Sequence, residues 1–425
     1  MDKSRVLCDL GLVHGSNIIQ DILIPLHIRN TVTVDHKVDG DLLKQAWERT
    51  KRVYPIIDSV LGYDQEDPSV YMDPAKTSKY VKDHIYLIRA EGGANDPIET
   101  KVPVSPGTEA VGNRLLAVSY YDNTITIGGY HRLVDGGGLN MVFSTLLYAY
   151  LALYTGHEDD DPKVELTEGR AIEEYYISDT PEFIFSKAYT PTPLYTLPIG
   201  CRGFCDEDMV NDENEVLLGN IAFSASEFIK FCKDNGANPS AMLCTLVAKA
   251  AYSLNPERND DIVFGVSVSE KKNLKIERSI ANAVMIAIAY TKHEDVRNKS
   301  IADIAGKIRT DIDYQRTPDY YLSHYRVFQS YKQAPSFKHR TITYLGSINV
   351  GDNNHKIIDQ CCGTYGDNNL FMMQLNDKFY ISLQYGKATE KYLTEFECIF
   401  KELGIECEIT RHTATVPFDV KEAVL

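Results

Sequence analysis

Long apolar runs are scarce in this chain. No stretch of about 18 apolar residues stands out, and the first ten residues carry no apolar core behind their charges, so neither a membrane span nor an export signal is expected. Positive charge is also in deficit: 425 residues include 44 lysines and arginines against 60 aspartates and glutamates, a formal net charge of −16. Nucleic-acid grooves and anionic membrane surfaces demand a clustered positive field, so neither is expected as a partner. The nine cysteines, at 8, 201, 205, 232, 244, 361, 362, 398 and 407, fall at no paired metal-ligand spacing and form no disulfide framework. Reduced thiols in a cytoplasmic protein are the expectation. The eleven histidines show no ligand spacing either, and no metal is expected. A Gly-x-Ser-x-Gly elbow, a phosphate-cradling glycine loop and a dinucleotide fingerprint are all missing, which removes the common hydrolase, nucleotidase and dehydrogenase classes.

What is present is an ordinary hydrophobic content of 44% over a length greater than one core usually serves. Two domains are therefore expected, at 1–180 and 215–425, joined by a connecting segment at 181–214. The joining region lies in a longer stretch, 157–214, rich in acids, Tyr, Pro and Thr and poor in periodicity. Alternation predicts strands over 30–36, 69–73, 84–90, 114–121 and 124–130, the last two joined by the two-residue turn Asp122-Asn123. Leu42, Leu43, Ala46, Trp47 and Val53 at helical spacing predict a helix over 40–53, which Pro55 ends. A helix over 139–154, apolar on nearly every face and closed by Gly156, is expected to lie between layers.

In the second half Ser224 and Glu227 stand in capping-box register before a helix running to about residue 236, and Asn238-Pro239 opens the next. Further helices are expected from Ser300 through Ile308, over 320–331 and over 389–403. Strands are expected over 261–269, 283–290, 341–348, 371–375 and 379–384, with the nearly all-apolar 283–290 central in its sheet. The predicted class is α+β, with mostly antiparallel sheets in layered domains.

One segment carries legible chemistry: Tyr130-His131-Arg132-Leu133-Val134-Asp135-Gly136-Gly137-Gly138. It follows an alternating strand and precedes an apolar helix, so it sets an imidazole at a rigid strand end beside glycines that free the backbone. An imidazole can accept a proton from a hydroxyl or amine attacking a carbonyl. Asp135 can pair with a cation, cap the following helix, or touch His131 directly.

With its flanking elements, and with Tyr54-Pro55-Ile56-Ile57, Ser279-Ile280-Ala281-Asn282 and Thr343-Tyr344-Leu345-Gly346 elsewhere, the motif resembles the coenzyme A-dependent acyltransferase superfamily. That superfamily takes in chloramphenicol acetyltransferase-like proteins, alcohol acyltransferases and the condensation domains of peptide synthetases. The resemblance covers most of the chain. It implies two chloramphenicol acetyltransferase-like domains facing across a central tunnel, with acyl-coenzyme A as co-substrate and no permanently bound cofactor. The partners it implies are a small-molecule donor and acceptor, or an acyl or peptidyl carrier protein bearing the donor thioester. His131 takes the place of the base, Asp135 that of an aspartate ordering the loop through an arginine, and Gly136 completes the turn. Thr343 falls where a hydroxyl steadies the oxyanion, and Asn282 where an asparagine borders the substrate channel.

Departures are visible. Tyr130 stands where condensation domains carry the first of two histidines, which counts against amide synthesis on carrier proteins. Asp58 replaces the arginine expected after the opening helix, so another cation, Arg114 or Arg132, is expected to serve Asp135. Ala281 replaces a glycine. These changes leave open an inactive binding member of the same fold. For a phosphate-bearing donor the basic cluster is Lys271, Lys272, Lys275 and Arg278, residues that equally suit a solvated lysine-rich loop.

Overall fold

The computed structural model describes residues 6–9, 27–63, 85–92, 95–131, 133–158, 163–169, 188–198, 215–328, 340–364 and 369–415. The expected strand at 69–73 and the end of the helix expected over 320–331 lie outside them. The first half runs β1 (Val6–Asp9), β2 (His27–Val34), α1 (Gly40–Val53), β3 (Ser59–Tyr63), β4 (Ile85–Arg89), β5 (Ile98–Glu99), β6 (Leu116–Tyr121), β7 (Thr124–Tyr130) and α2 (Gly136–Thr155). The second opens with β8 (Glu215–Ser224), α3 (Ala225–Asp234), α4 (Pro239–Leu254), β9 (Ile262–Ser269), α5 (Lys271–Leu274) and β10 (Val284–Thr291). It continues with α6 (His293–Asn298), α7 (Ile301–Gln315), α8 (Pro318–Phe328), β11 (Arg340–Ser347), β12 (Ile357–Thr364), β13 (Asn369–Leu375), β14 (Lys378–Gln384), α9 (Thr389–Glu402) and β15 (Cys407–Thr415).

The helices begin where side chains satisfy their first amides. Asp39 accepts from Asp41 and Leu42 at the start of α1, Ser224 from Glu227 at α3, Asn238 from Ala241 at α4 and Ser300 from Asp303 at α7. In α1 the buried side chains Leu43, Ala46, Trp47, Thr50 and Val53 recur at three- and four-residue spacing, which turns one stripe of the helix to the core. The α2 helix differs. It is apolar all round and long enough, by length and composition, to cross a membrane, contrary to the expectation that no such stretch exists. It satisfies that composition by being packed inside the protein, with residues from Gly138 to Ala152 buried on nearly every face.

The strands form three sheets. A five-stranded sheet has the order β12-β2-β7-β6-β5, a seven-stranded sheet the order β10-β9-β11-β13-β14-β8-β15, and a three-stranded one the order β1-β4-β3. Pairing is mostly antiparallel, with β11 parallel to both β9 and β13 and β5 parallel to β6. Alternation along β2 turns Ile28, Val32 and Val34 to the core with Ile125 and Ile127 of β7, under α1 and α2. A second core lies between the large sheet and α3, α4, α7 and α9.

Two features tie the halves together. β12 comes from the second half of the sequence yet pairs with β2 from Ile357 opposite Val34 to Thr364 opposite Ile28. The first core also takes in Ala222, Ile348, Val350, Leu375 and Tyr380. One expectation is corrected: β10 ends its sheet instead of lying in its centre. Met285, Ala287 and Ala289 are buried on one face, but Ile286 on the other is 39% exposed, and the free edge is closed by the Gln315 side chain, which exchanges hydrogen bonds with Ile288 N and O at 2.9 and 2.6 Å.

Candidate active site

β7 ends at Tyr130, and a tight turn follows in which Leu133 and Val134 both donate to the Tyr130 carbonyl, at 2.9 and 3.3 Å. Leu133 and Val134 are fully buried, which pins the turn and leaves His131 half-buried at its corner. The His131 Nδ1 lies 3.2 Å from the Val134 carbonyl oxygen. Asn282, just before β10, brings its Nδ2 to 2.9 Å from the His131 carbonyl oxygen and 3.3 Å from the His131 Nδ1. A carbonyl only accepts, so the contact with Val134 calls for a proton on Nδ1, and the Asn282 amide then donates to the His131 carbonyl. That assignment leaves Nε2 as the basic nitrogen. No residue among those described hydrogen-bonds it.

Asp135 caps α2 by accepting from Gly138 N at 2.6 Å. The same oxygen accepts from Lys271 Nζ at 2.8 Å, and the other accepts from Ala283 N at 3.2 Å. Cap and cation are thus both realised, and the imidazole is not among the aspartate's partners. The pair is buried, Asp135 being 1% and Lys271 7% exposed. The cation is therefore Lys271, from the second half, and not Arg114; Arg132 lies outside the described residues. Arg114 instead donates from Nε to Asp58 at 3.0 Å, so the Asp58 carboxylate has its own partner.

Glycine is required where the first turn of α2 meets the second half. A Cβ on Gly138 would fall on the carbonyl oxygen of Ile280, backbone that cannot step aside, and one on Gly136 would fall on the Leu345 side chain. Asn140 Nδ2 donates to the Leu345 carbonyl at 2.9 Å and closes the same junction. Thr343, two residues earlier on the same face of β11, shares a hydrogen bond of 2.8 Å with Ser267.

His131, Asp135, Gly136, Asn282 and Lys271 thus converge, with Thr343 on the neighbouring strand. Tyr130 is buried behind them, its ring 5.9 Å from that of His27. The basic cluster divides: Lys271 is turned inward to Asp135, whereas Lys272 and Lys275 are exposed and the exposed Arg278 meets Glu165 at 2.7 Å. Sequence reasoning missed the ion-pair role of Lys271 and the contact of Ser267 with Thr343. Nothing local in the sequence signals either, since both depend on packing between distant segments.

No family model and no curated protein sequence matches the chain. Solved structures do resemble it. The polyketide synthase associated protein 5 from Mycobacterium tuberculosis superposes with a TM-score of 0.61 at 13% identity, over 93% of this chain and 97% of that one. TRI101 from F. sporotrichioides, in complex with coenzyme A and T-2, gives 0.59 at 9% identity over 95% and 99%. The first condensation domain of the calcium-dependent antibiotic synthetase, bound to a substrate analogue, gives 0.58 at 10% over 93% and 95%. What is shared at such identities is the fold, that of coenzyme A-dependent acyltransferases and condensation domains.

Proposed function

We propose that this protein is an acyltransferase that moves an acyl group from an acyl-coenzyme A thioester to a hydroxyl or amine acceptor, with His131 as general base. The reading includes a tunnel between two acyltransferase-like domains, 1–180 and 215–425, through which donor and acceptor reach His131 from opposite sides. The observation that carries it is the His131 ring, half-buried at a strand end, with one nitrogen tied to the Val134 carbonyl and the other unengaged.

The chemistry follows from that orientation. Nε2 takes the proton of the acceptor as its oxygen or nitrogen attacks the thioester carbonyl carbon, and a tetrahedral intermediate forms with its charge on the former carbonyl oxygen. A hydroxyl of the Thr343–Ser267 pair is suited to donate to that oxyanion, because one hydroxyl of the pair can bond the other and leave a second O–H to give. Collapse breaks the carbon–sulfur bond, and the departing thiolate leaves with the proton that His131 took up. Asp135 serves the loop and not the ring: with Gly138, Lys271 and Ala283 it fixes where the turn ends, and so where the imidazole sits. In this reading the exposed Lys272 and Lys275 meet the donor phosphates at the surface.

A second reading has support in the similarity to a condensation domain: the donor thioester is carried by a carrier protein in place of free coenzyme A. Tyr130 in the position of the first histidine weighs against it. Thiol release from a panel of acyl-coenzyme A donors, each with mixed alcohols and amines, separates the readings. Free thiol that appears only when donor and acceptor are both present supports transfer from coenzyme A. Release from loaded carrier protein alone would move the assignment to the second reading, and binding of coenzyme A with no release from either would mark a binding protein.

A further inference from the structure

β2 carries a charged group that none of this chemistry uses. Arg29 donates from Nη2 to Ser105 Oγ at 3.1 Å, and its Nε is buried without a hydrogen-bond partner. No carboxylate pairs with it among the described residues. The nearest acid in register on β12 is Asp359, four pairs further along the strand, and it is taken by Asn220 at 2.8 Å and His412 at 3.2 Å. Arg29 is half-buried, and a guanidinium partly withdrawn from water without a counter-charge costs stability, so a native chain that keeps one has a use for its donors.

The neighbouring strands add no side chain beside those donors. The residues directly opposite Arg29 on both neighbouring strands are glycines, Gly128 on β7 and Gly363 on β12. Neither supplies a side chain of its own. Side chains from farther away come up to those positions: a Cβ on Gly128 would sit 3.2 Å from Pro106, and one on Gly363 3.2 Å from Leu218, a residue of the second half. Burial first, and the neighbouring Arg29 second, hold the His27 imidazole down to about 3, so it stays neutral at physiological pH. Arg29 itself is lowered by burial only to about 10 and remains charged.

Arg29 lies beside the strand end that carries the candidate base. His27 pairs with Tyr130 and Arg29 with Gly128, so Arg29 and Tyr130 share a face, and three residues of extended chain from Gly128 to His131 span on the order of 10 Å. The pantetheine arm of coenzyme A holds its phosphates farther than that from the thioester carbonyl. We infer that Arg29 is a specificity-determining residue that binds a carboxylate borne by the acyl group or by the acceptor, with Ser105 fixing the guanidinium plane for a paired donor–acceptor contact. The transferred or accepting molecule is thus an anion close to its reacting end. The inference rests on the transfer reading for the word substrate, but its test does not require turnover.

Calorimetric titration of the full chain with two matched pairs of probes decides it. Succinyl-coenzyme A against butyryl-coenzyme A tests the donor, and 4-hydroxybenzoate against 4-hydroxybenzamide tests the acceptor. The expected result is at least tenfold tighter binding of the carboxylate member of one pair, a ratio that falls toward one in Arg29→Gln and is partly kept in Arg29→Lys. The lysine variant also serves if the glutamine variant does not fold. Equal binding within both pairs by the wild-type protein, or a preference undiminished in Arg29→Gln, would overturn the inference, as would a response to inorganic phosphate equal to that for the carboxylates. Carboxylate preference without any thiol release would leave Arg29 standing and sink the transfer reading instead.

Discussion

Lys271 and Asp135 are 136 residues apart in sequence, yet their charged groups meet at 2.8 Å almost out of reach of water. Removing one partner of such a pair strands the other, which costs about 3–5 kcal/mol, whereas replacing both with apolar groups of similar volume is far milder. Lys271→Met is expected to lose roughly that much in denaturant unfolding, and pairing it with Asp135→Asn to recover part of it; a loss below about 1 kcal/mol would show that the pair does not organise the loop. Beside Lys271, Glu270 is fully buried, one carboxyl oxygen accepting from Asn273 at 2.6 Å and the other unpartnered. Burial raises its pKa to about 7, against the hydrogen bond from Asn273 and the charge of Arg316. The folded protein therefore keeps a proton that the unfolded chain releases near 4.5. Stability linked to that proton is whole below 4.5 and is lost as pH rises to about 7. Glu270→Gln should raise the melting temperature relative to wild type more at pH 8 than at pH 5, and an equal difference at both would refute the assignment.

Among the elements, β10 shows how a single side chain guards a sheet. Gln315, at the end of α7, satisfies both backbone groups of Ile288 on the free edge. Gln315→Ala leaves them bare, and a loss of about 1–2 kcal/mol with faster aggregation on heating is expected, measured by urea unfolding and light scattering. Elements with local signals were legible in the sequence: α1 from its stripe and the Pro55 that ends it, α4 from Asn238-Pro239, and the β6–β7 hairpin from Asp122, which takes φ 51° at the turn. β10 was misplaced because apolar residues on both faces read alike, whether the far face meets a sheet or a half-open surface. β12 was missed because Asp359, Gln360, Cys361 and Cys362 show no alternation, and its partner strand lies more than 300 residues away. The same division holds in the site. His131, Asp135, Gly136 and Asn282 were named from a short motif and a resemblance, whereas the contacts of Lys271 and Ser267 exist only once distant strands are laid together.

Across the whole molecule, β12 in the first sheet, the first turn of α2 against Ile280 and Leu345, and the Asp135–Lys271 pair make the halves depend on each other. Urea unfolding should accordingly show one transition, with the fluorescence of Trp47, the only tryptophan and a residue of the first half, coinciding with far-ultraviolet circular dichroism from the entire chain. Separate midpoints would mean that the halves fold independently. The same mutual dependence fixes His131, since its turn is held from one side by β7 and from the other by Asn282 and the partners of Asp135. The most direct test of that imidazole as the base is thiol release by His131→Ala beside the wild type, with coenzyme A binding and melting temperature measured on the same samples. Turnover should fall by about 100-fold or more while binding and melting hold; release within a few-fold of wild type would contradict the account.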